Sequence, residues 1–267
     1  MPAPDVPSPG HFFELEGDVA VPSELTRGPW DEGSQHAGPP AALLGHALER
    51  LPVEDGTPMR IGRVTYEVLR PVPIAPLRVE AGIERDGRRV QMLGARLFAD
   101  DEEVMRARAW RLREDAVAVP ARLAGDPPPH GPADGEDGPF FPTERDGYHT
   151  AVDYRFVEGG FLESGPAVVW MRSRVPVVAG QALTPLQRVL VVADSGNGVS
   201  ATLDWRRFLF INVDLSVHLH RHPVGDWVCL DAVTTPEADG IGLADAALFD
   251  ERGRIGRAVQ TLLVAER

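Results

Sequence analysis

The sequence contains no lysine: all 27 basic residues are arginine, and they face 40 acidic residues. The absence of lysine excludes every mechanism that forms a Schiff base on a lysine amine. The formal net charge is −13 at pH 7. This charge argues against nucleic acid or an anionic membrane as the main partner, because both bind basic surfaces.

Cysteine and long apolar runs are scarce as well. Cys229 is the single cysteine, which excludes a disulfide framework and a thiolate metal cluster. No apolar run reaches the length of about 18 residues that a membrane-spanning helix needs, and the first ten residues lack the basic-then-apolar pattern of a signal peptide. We therefore expect a cytoplasmic protein with no membrane or nucleic-acid partner.

Two segments of the chain, residues 61–112 and 212–263, share one pattern at an offset of 151 residues without gaps. Each holds four strand-like runs of alternating residues, separated by turn signals such as Asp86-Gly87. The identical positions are Arg70/Arg221, Ala81/Ala232, Ala95/Ala246, Leu97/Leu248, Phe98/Phe249, Arg106/Arg257 and Ala107/Ala258. An internal repeat of this kind indicates a duplicated structural unit.

A helix precedes the strands in each half. The first is predicted over about 39–51, where leucines recur at helical spacing before Pro52 ends the helix. In the second half, Thr184 is the predicted N-cap and Pro185 the first helical residue. One helix followed by an antiparallel meander, twice, predicts an α+β fold in which each sheet wraps a helix.

The stretch between the halves is rich in glycine and proline. Residues 125–147 hold eleven of them among 23 positions, a composition that sustains neither a helix nor a central strand. The predicted organisation is an N-terminal repeat over 1–115, a linker over 116–147 and a C-terminal repeat over 148–267.

The two copies differ at positions that matter for function. Asn212 and Gln260 of the second copy correspond to Ile61 and Ala109 of the first. Because polar groups are kept in one copy alone, the pattern predicts one active site per chain, in the second half.

Three segments of the second half resemble a known family. They are LQRVLVVADSGNG at 186–198, INVDLSVHLHR at 211–221 and GRAVQTLLV at 256–264. In order and spacing they resemble the acyl-CoA thioesterases of the thioesterase II type, and the likeness extends over roughly 15–115 and 150–265. The resemblance implies a double hot-dog fold, in which two tandem repeats each wrap an antiparallel sheet around a central helix.

The resemblance also implies hydrolysis of an acyl-CoA thioester by a positioned water, with Asp194, Asn212 and Gln260 as the catalytic set. Asn212 stands where the family has threonine or serine, but an amide can still donate and accept hydrogen bonds. Because an amide cannot take a proton from water, proton removal falls to Asp194. This chemistry requires no metal and no cofactor.

Further residues are assigned to the substrate. Backbone N–H groups at a helix N-terminus suit a developing oxyanion, and the turn that holds His36 and Gly38 is the candidate. Clusters of arginine could bind the CoA phosphates; they comprise Arg85, Arg88, Arg89, Arg206 and Arg207. We also expect a homo-oligomer, a dimer of double hot-dogs or larger, because the backs of the sheets would otherwise stay exposed.

Other interpretations are open from the sequence. A hydratase or dehydratase on the same fold would use an Asp–His pair, for which Asp194 and His220 are the candidates. A non-catalytic protein that binds acyl-CoA or an acyl chain is the second alternative. From the residue types alone, Asp194 could simply bond backbone N–H groups, and Gln260 could be a satisfied core amide. The alternation of His218, His220 and His222 favours stacking and hydrogen bonding over a metal pair.

Overall fold

The computed structural model describes residues 10–54, 56–118, 120, 126–138 and 145–267. Within them, thirteen strands form one sheet in which neighbouring strands are antiparallel. The first half contains β1 (Phe13–Glu16), β2 (Val19–Pro22), α1 (Gly38–Glu49), β3 (Met59–Val68), β4 (Leu77–Arg85), β5 (Val90–Ala99) and β6 (Glu102–Arg113). The second half contains α2 (Tyr148–Ala151), β7 (Val152–Glu158), β8 (Ala167–Ser173), α3 (Pro185–Ala193), α4 (Gly196–Val199), β9 (Phe208–Asn212), β10 (Asp214–Leu219), β11 (Val228–Pro236), β12 (Ile241–Asp250) and β13 (Gly253–Glu266).

The two halves meet edge to edge in this sheet. The order is β1-β2-β4-β5-β6-β3 from the first half, continued by β10-β13-β12-β11-β8-β7 from the second, while β9 also pairs with β13. At the junction of β3 and β10, Thr65 lies opposite Ser216, and the Ser216 Oγ lies 3.2 Å from the Thr65 Oγ1. The backbone ladder therefore runs without a break from one half into the other.

The helices α1 and α3 pack against each other in the core. α1 also contacts β3, β4, β5 and β6, and α3 contacts β8 and β11. Ten of the twelve residues of α1 are buried, which is expected when sheet covers one side of a helix and a second helix covers the other. Among the described residues, no helix is long and apolar enough to span a membrane.

Two glycines of α1 set the distance between these helices. A Cβ atom on Gly38 would lie 2.2 Å from the backbone oxygen of Val191, and one on Gly45 would lie 2.3 Å from the Cδ1 of Leu190. Both distances are far below van der Waals contact, so side chains at these positions would push α1 away from α3.

The helix and strand predictions from the sequence are largely confirmed. α3 begins at Pro185, and the N-cap Thr184 forms a capping box with Gln187. α1 covers Gly38–Glu49 rather than 39–51, since the chain leaves the helix one turn before the proline. The backbone carbonyls of Leu51 and Pro52 then accept hydrogen bonds from the buried guanidinium of Arg111.

Part of the predicted linker lies outside the described residues. Within 126–138, the backbones of Glu136 and Phe156 exchange two hydrogen bonds of 2.9 and 2.8 Å. The backbone oxygen of Asp126 accepts a hydrogen bond of 3.0 Å from the N–H of Arg254. This portion of the segment is therefore tied to strands of the second half.

Substituting Gly38 by alanine tests the close approach of α1 and α3. We expect Gly38→Ala to lower the free energy of unfolding by about 1–3 kcal/mol, because the atom in the way belongs to the α3 backbone and cannot rotate aside. Gly82→Ala in β4 is the matched control, since nothing lies within 4 Å of the added Cβ. Urea unfolding measures both, and equal stability of the two variants would contradict the packing argument.

Candidate active site

Asp194 lies immediately after the last residue of α3, as the C-cap of that helix. Its side chain is only 6% exposed. A carboxylate at a helix C-terminus faces the negative end of the helix dipole, so this position is unfavourable unless other groups donate hydrogen bonds to it. The surrounding elements supply such donors.

Two side-chain amides donate to the same oxygen of Asp194. The Nδ2 of Asn212, at the end of β9, lies 2.9 Å from Oδ1, and the Nε2 of Gln260, in β13, lies 3.1 Å from it. The pairing of β9 with β13 places both amides beside the end of α3. The structure thus brings together the three residues that the resemblance implied.

Gln260 makes further contacts that hold the end of α3 in place. Its Nε2 also lies 3.1 Å from the backbone oxygen of Asp194, and its Oε1 accepts a 3.1 Å hydrogen bond from the N–H of Asn197. The side chain is buried behind Asp194 and does not line the cavity described below, whereas Asn212 is partly exposed and does.

His36 approaches Asp194 within the same chain. Its Nδ1 lies 3.3 Å from the Oδ2 of Asp194 and accepts a 3.1 Å hydrogen bond from the N–H of Gly38, the first residue of α1. Burial lowers the pKa of His36 below its usual value, and the neighbouring Asp194 offsets part of this shift. This shift favours the neutral form of the ring at pH 7.

Tyr148 also contacts His36, and the sequence analysis did not predict it as a site residue. Its ring is stacked on that of His36, with centroids 3.8 Å apart and planes 9° from parallel. Its hydroxyl lies 2.9 Å from the oxygen of Val191 and 3.0 Å from the Oγ of Ser195. Tyr148 directly follows the glycine- and proline-rich stretch, and no periodic pattern in the sequence links it to the other site residues.

These residues surround a cavity of about 500 Å³. His36, Tyr148, Asp194 and Asn212 line one part of it. The remaining wall is mainly apolar and aromatic, and it includes Trp30, Leu69, Val72, Tyr154, Phe161, Phe208, Phe210 and Ile211. A concave, largely apolar site with a few convergent polar groups is the usual form of a small-molecule site.

The arginine clusters occupy two different places. Arg206 and Arg207 are exposed and lie over the rings of Trp205 and Phe208, the second of which lines the cavity. Arg85, Arg88 and Arg89 are exposed at the end of β4 and in the turn before β5, and they do not line it.

His220 is separated from Asp194. Together with His218 and Arg254, it lines a distinct shallow depression next to Gly62, with no lining residue in common with the cavity at Asp194. His222 lies beyond the end of β10, and its Nε2 is 2.8 Å from the oxygen of Ile61. The structure therefore does not form the Asp194–His220 pair that a hydratase was expected to use.

Two family models match the sequence. The model described as the acyl-CoA thioesterase N-terminal domain matches residues 26–112, and the model described as the acyl-CoA thioesterase C-terminal domain matches residues 120–264. Together they cover most of the chain. Among curated proteins, none matches this sequence.

Several solved structures have a similar fold. A structure from Thermobifida fusca assigned to the thioesterase II type has a TM-score of 0.74 at 17% identity, with 94% of each chain covered. A protein with a hot-dog fold from Alicyclobacillus acidocaldarius has a TM-score of 0.70 at 16% identity, with 95% of each chain covered. An acyl-CoA thioesterase II of Mycobacterium marinum has a TM-score of 0.66 at 14% identity, covering 95% of this chain and 94% of that one. The fold is therefore a hot-dog fold.

Substitution of Gln260 and Asn212 tests whether the buried amide contributes more to stability than the partly exposed one. We expect Gln260→Leu to lower the free energy of unfolding by about 1–3 kcal/mol. The substitution leaves the backbone oxygen of Asp194 and the backbone N–H of Asn197 without these hydrogen bonds in the interior. Asn212→Ala is the matched control, with an expected loss below about 1 kcal/mol, since water can replace a partly exposed donor. Equal losses in urea unfolding would mean that Gln260 does not hold the end of α3.

Proposed function

This chain belongs to the acyl-CoA thioesterase family, and we propose that it hydrolyses acyl-CoA thioesters to a free acid and CoA at the site around Asp194. The observation that carries the proposal is a carboxyl group held by two amides in the wall of a largely apolar cavity. A thioester is already activated, so its hydrolysis needs an oriented water, a group that takes the proton and donors for the oxyanion.

The three site residues have separate roles in this proposal. Asp194 takes the proton from the attacking water, because neither amide can do so. Asn212 lines the cavity beside it and orients the water by a hydrogen bond. Gln260 is buried behind Asp194 and keeps its carboxyl group in position, so it acts as a positioning residue.

We further propose that the fold is a double hot-dog of two tandem repeats over 1–115 and 148–267, joined by the segment 116–147. Three observations support it at the offset of 151 residues. The bounds of β4 and β5 coincide with those of β11 and β12. The ladder irregularity at Leu97/Phe98 recurs at Leu248/Phe249. Thr65 and Ser216, which are themselves 151 residues apart, pair with each other at the centre of the sheet.

The repeat supports one active site per chain. In the first half, Ile61 and Ala109 occupy the positions of Asn212 and Gln260, and both are buried in the hydrophobic core. A carboxylate placed there would find no amide donors at these two positions. The catalytic groups therefore belong to the second half, with His36 contributed by the first.

The surroundings of the cavity suit an acyl-CoA. We propose that the acyl chain lies along the aromatic wall and that Arg206 and Arg207 bind CoA phosphates, since an arginine fork matches phosphate geometry. No ion pair within the described residues neutralises these two arginines. We prefer them to Arg85, Arg88 and Arg89, which lie away from the cavity.

The alternatives have less support. The hydratase was tied to Asp194 and His220, which line separate surfaces. A binding protein without turnover would still need the apolar cavity but would have no use for a carboxyl group oriented by hydrogen bonds from two amides. The assay below separates these possibilities.

We also propose that the protein forms homo-oligomers through the outer face of the second half. Four exposed aliphatic side chains that do not line the cavity lie on β11, β12 and β13: Val233, Ile241, Leu243 and Leu263. Ile241 lies directly opposite Leu263 on the neighbouring strand. An apolar patch of this kind usually marks an interaction surface.

Light scattering in solution tests the oligomer. We expect a mass that is a multiple of 29.0 kDa for the wild type and a monomer for the double variant Ile241→Glu with Leu263→Glu, because charges on both sides would face each other across the interface. Leu162→Glu, at an isolated exposed leucine, is the control and should keep the wild-type mass. A monomeric wild type would contradict this proposal.

Release of free thiol from acyl-CoAs of graded chain length tests the activity. We expect steady turnover by the wild type and a fall in kcat of about 10²–10⁴ in Asp194→Asn, which keeps the shape of the side chain but cannot take a proton. Asp226→Asn is the control, since that exposed aspartate pairs with Arg188 away from the cavity, and it should retain full activity. Binding of the panel without any thiol release would instead support the acyl-binding alternative.

A further inference from the structure

His36 is held rigidly at the cavity wall. Its ring is stacked on Tyr148 and its backbone N–H donates a 2.8 Å hydrogen bond to the oxygen of Thr26. It stands two residues before the start of α1, at the point where the first half meets the end of α3. A side chain fixed in this way can act on a substrate without reorganising.

The hydrogen bonding of the His36 ring indicates which of its two nitrogens carries the proton. Nδ1 accepts from the N–H of Gly38, so in the neutral ring the proton resides on Nε2. Nδ1 faces Gly38 and Asp194, which leaves Nε2 for the cavity that His36 lines. Within the described residues, the structure gives this Nε2 no hydrogen-bond partner.

The same bond occupies one of the backbone donors of the turn that the sequence analysis proposed. The N–H of Gly38 is bonded to His36, and Gly38 is buried and does not line the cavity. An oxyanion in the cavity therefore needs a donor close to Asp194 other than the N–H of Gly38. The Nε2–H of His36 meets this requirement, because the other nitrogen of the same ring lies 3.3 Å from the carboxyl group.

We propose that the side chain of His36, rather than the backbone of Gly38, donates the hydrogen bond that stabilises the oxyanion during thioester hydrolysis. The proposal rests on the function proposed above. The water oxygen bonds to the carbonyl carbon while Asp194 takes a proton, and the carbonyl electron pair moves onto the oxygen facing Nε2–H. Collapse of the intermediate breaks the C–S bond, and the leaving thiolate recovers the proton from Asp194.

The donor role predicts a particular response to pH. A protonated His36 would still carry Nε2–H, so titration of His36 should not set the acid limb of kcat, whereas a histidine acting as general base would lose activity on protonation. The titratable and charged groups that contact the ring or share the cavity are Asp194, Tyr148, Tyr154, Arg27, Asp31, Arg70, His149 and Arg267.

Two variants of His36 test the proposal. His36→Phe keeps a flat ring on Tyr148 but has no donor, and we expect kcat to fall about 10²–10³ with KM little changed. His36→Gln places an amide N–H near the position of Nε2, and we expect kcat within about tenfold of the wild type with the same acid limb. Thermal unfolding of both variants checks that the fold is retained.

The outcomes distinguish this inference from the proposed function. Full activity in His36→Phe would overturn the donor role. A His36→Gln variant as slow as His36→Phe would overturn it too, because the amide of glutamine donates a hydrogen bond but does not titrate, and donation alone would then be insufficient. Turnover that depends on Asp194 but not on His36 overturns the donor role alone. A wild type without turnover on any acyl-CoA would overturn both.

Discussion

The contact between α1 and α3 is the constraint on which the site depends. Without a Cβ at Gly38 and Gly45, the start of α1 can lie against the last turn of α3. This approach places His36 beside Asp194, although 158 residues separate them along the chain. The positive end of one helix and the negative end of the other thereby meet at the cavity wall, where an imidazole and a carboxyl group share the space between them.

The sheet supplies the remaining parts. Because β3 pairs with β10, the two halves form one continuous ladder, and β9 and β13 bring Asn212 and Gln260 to the end of α3. Their amides compensate for a carboxyl group at an otherwise unfavourable helix end. The burial of Asp194 also matters, because hydrogen bonds are stronger in surroundings that contain little water.

The proposed duplication, followed by divergence, would account for the differences between the halves. The strands keep their bounds and their ladder irregularity, because a change in register would turn buried side chains toward solvent. If one active site per chain suffices, the site side chains of the other half are not constrained in this way, so Ile61 and Ala109 could become part of the hydrophobic core. In the proposed pair of fused repeats, one half would supply the proton-accepting group while the other supplies the end of a helix and His36.

The structure brings together Asp194, Asn212 and Gln260, the set that the resemblance to a family implied. The sequence also predicted a repeat and the helix start at Thr184 and Pro185, because periodicity and caps are local properties of the chain. It did not determine that His36 meets Asp194, that its ring occupies the N–H of Gly38, or that Tyr148 stacks on it. Those contacts join segments far apart in sequence, and their geometry follows from how closely α1 packs on α3. They follow from tertiary packing, since the distance between two helices depends on the side chains of both helices at once.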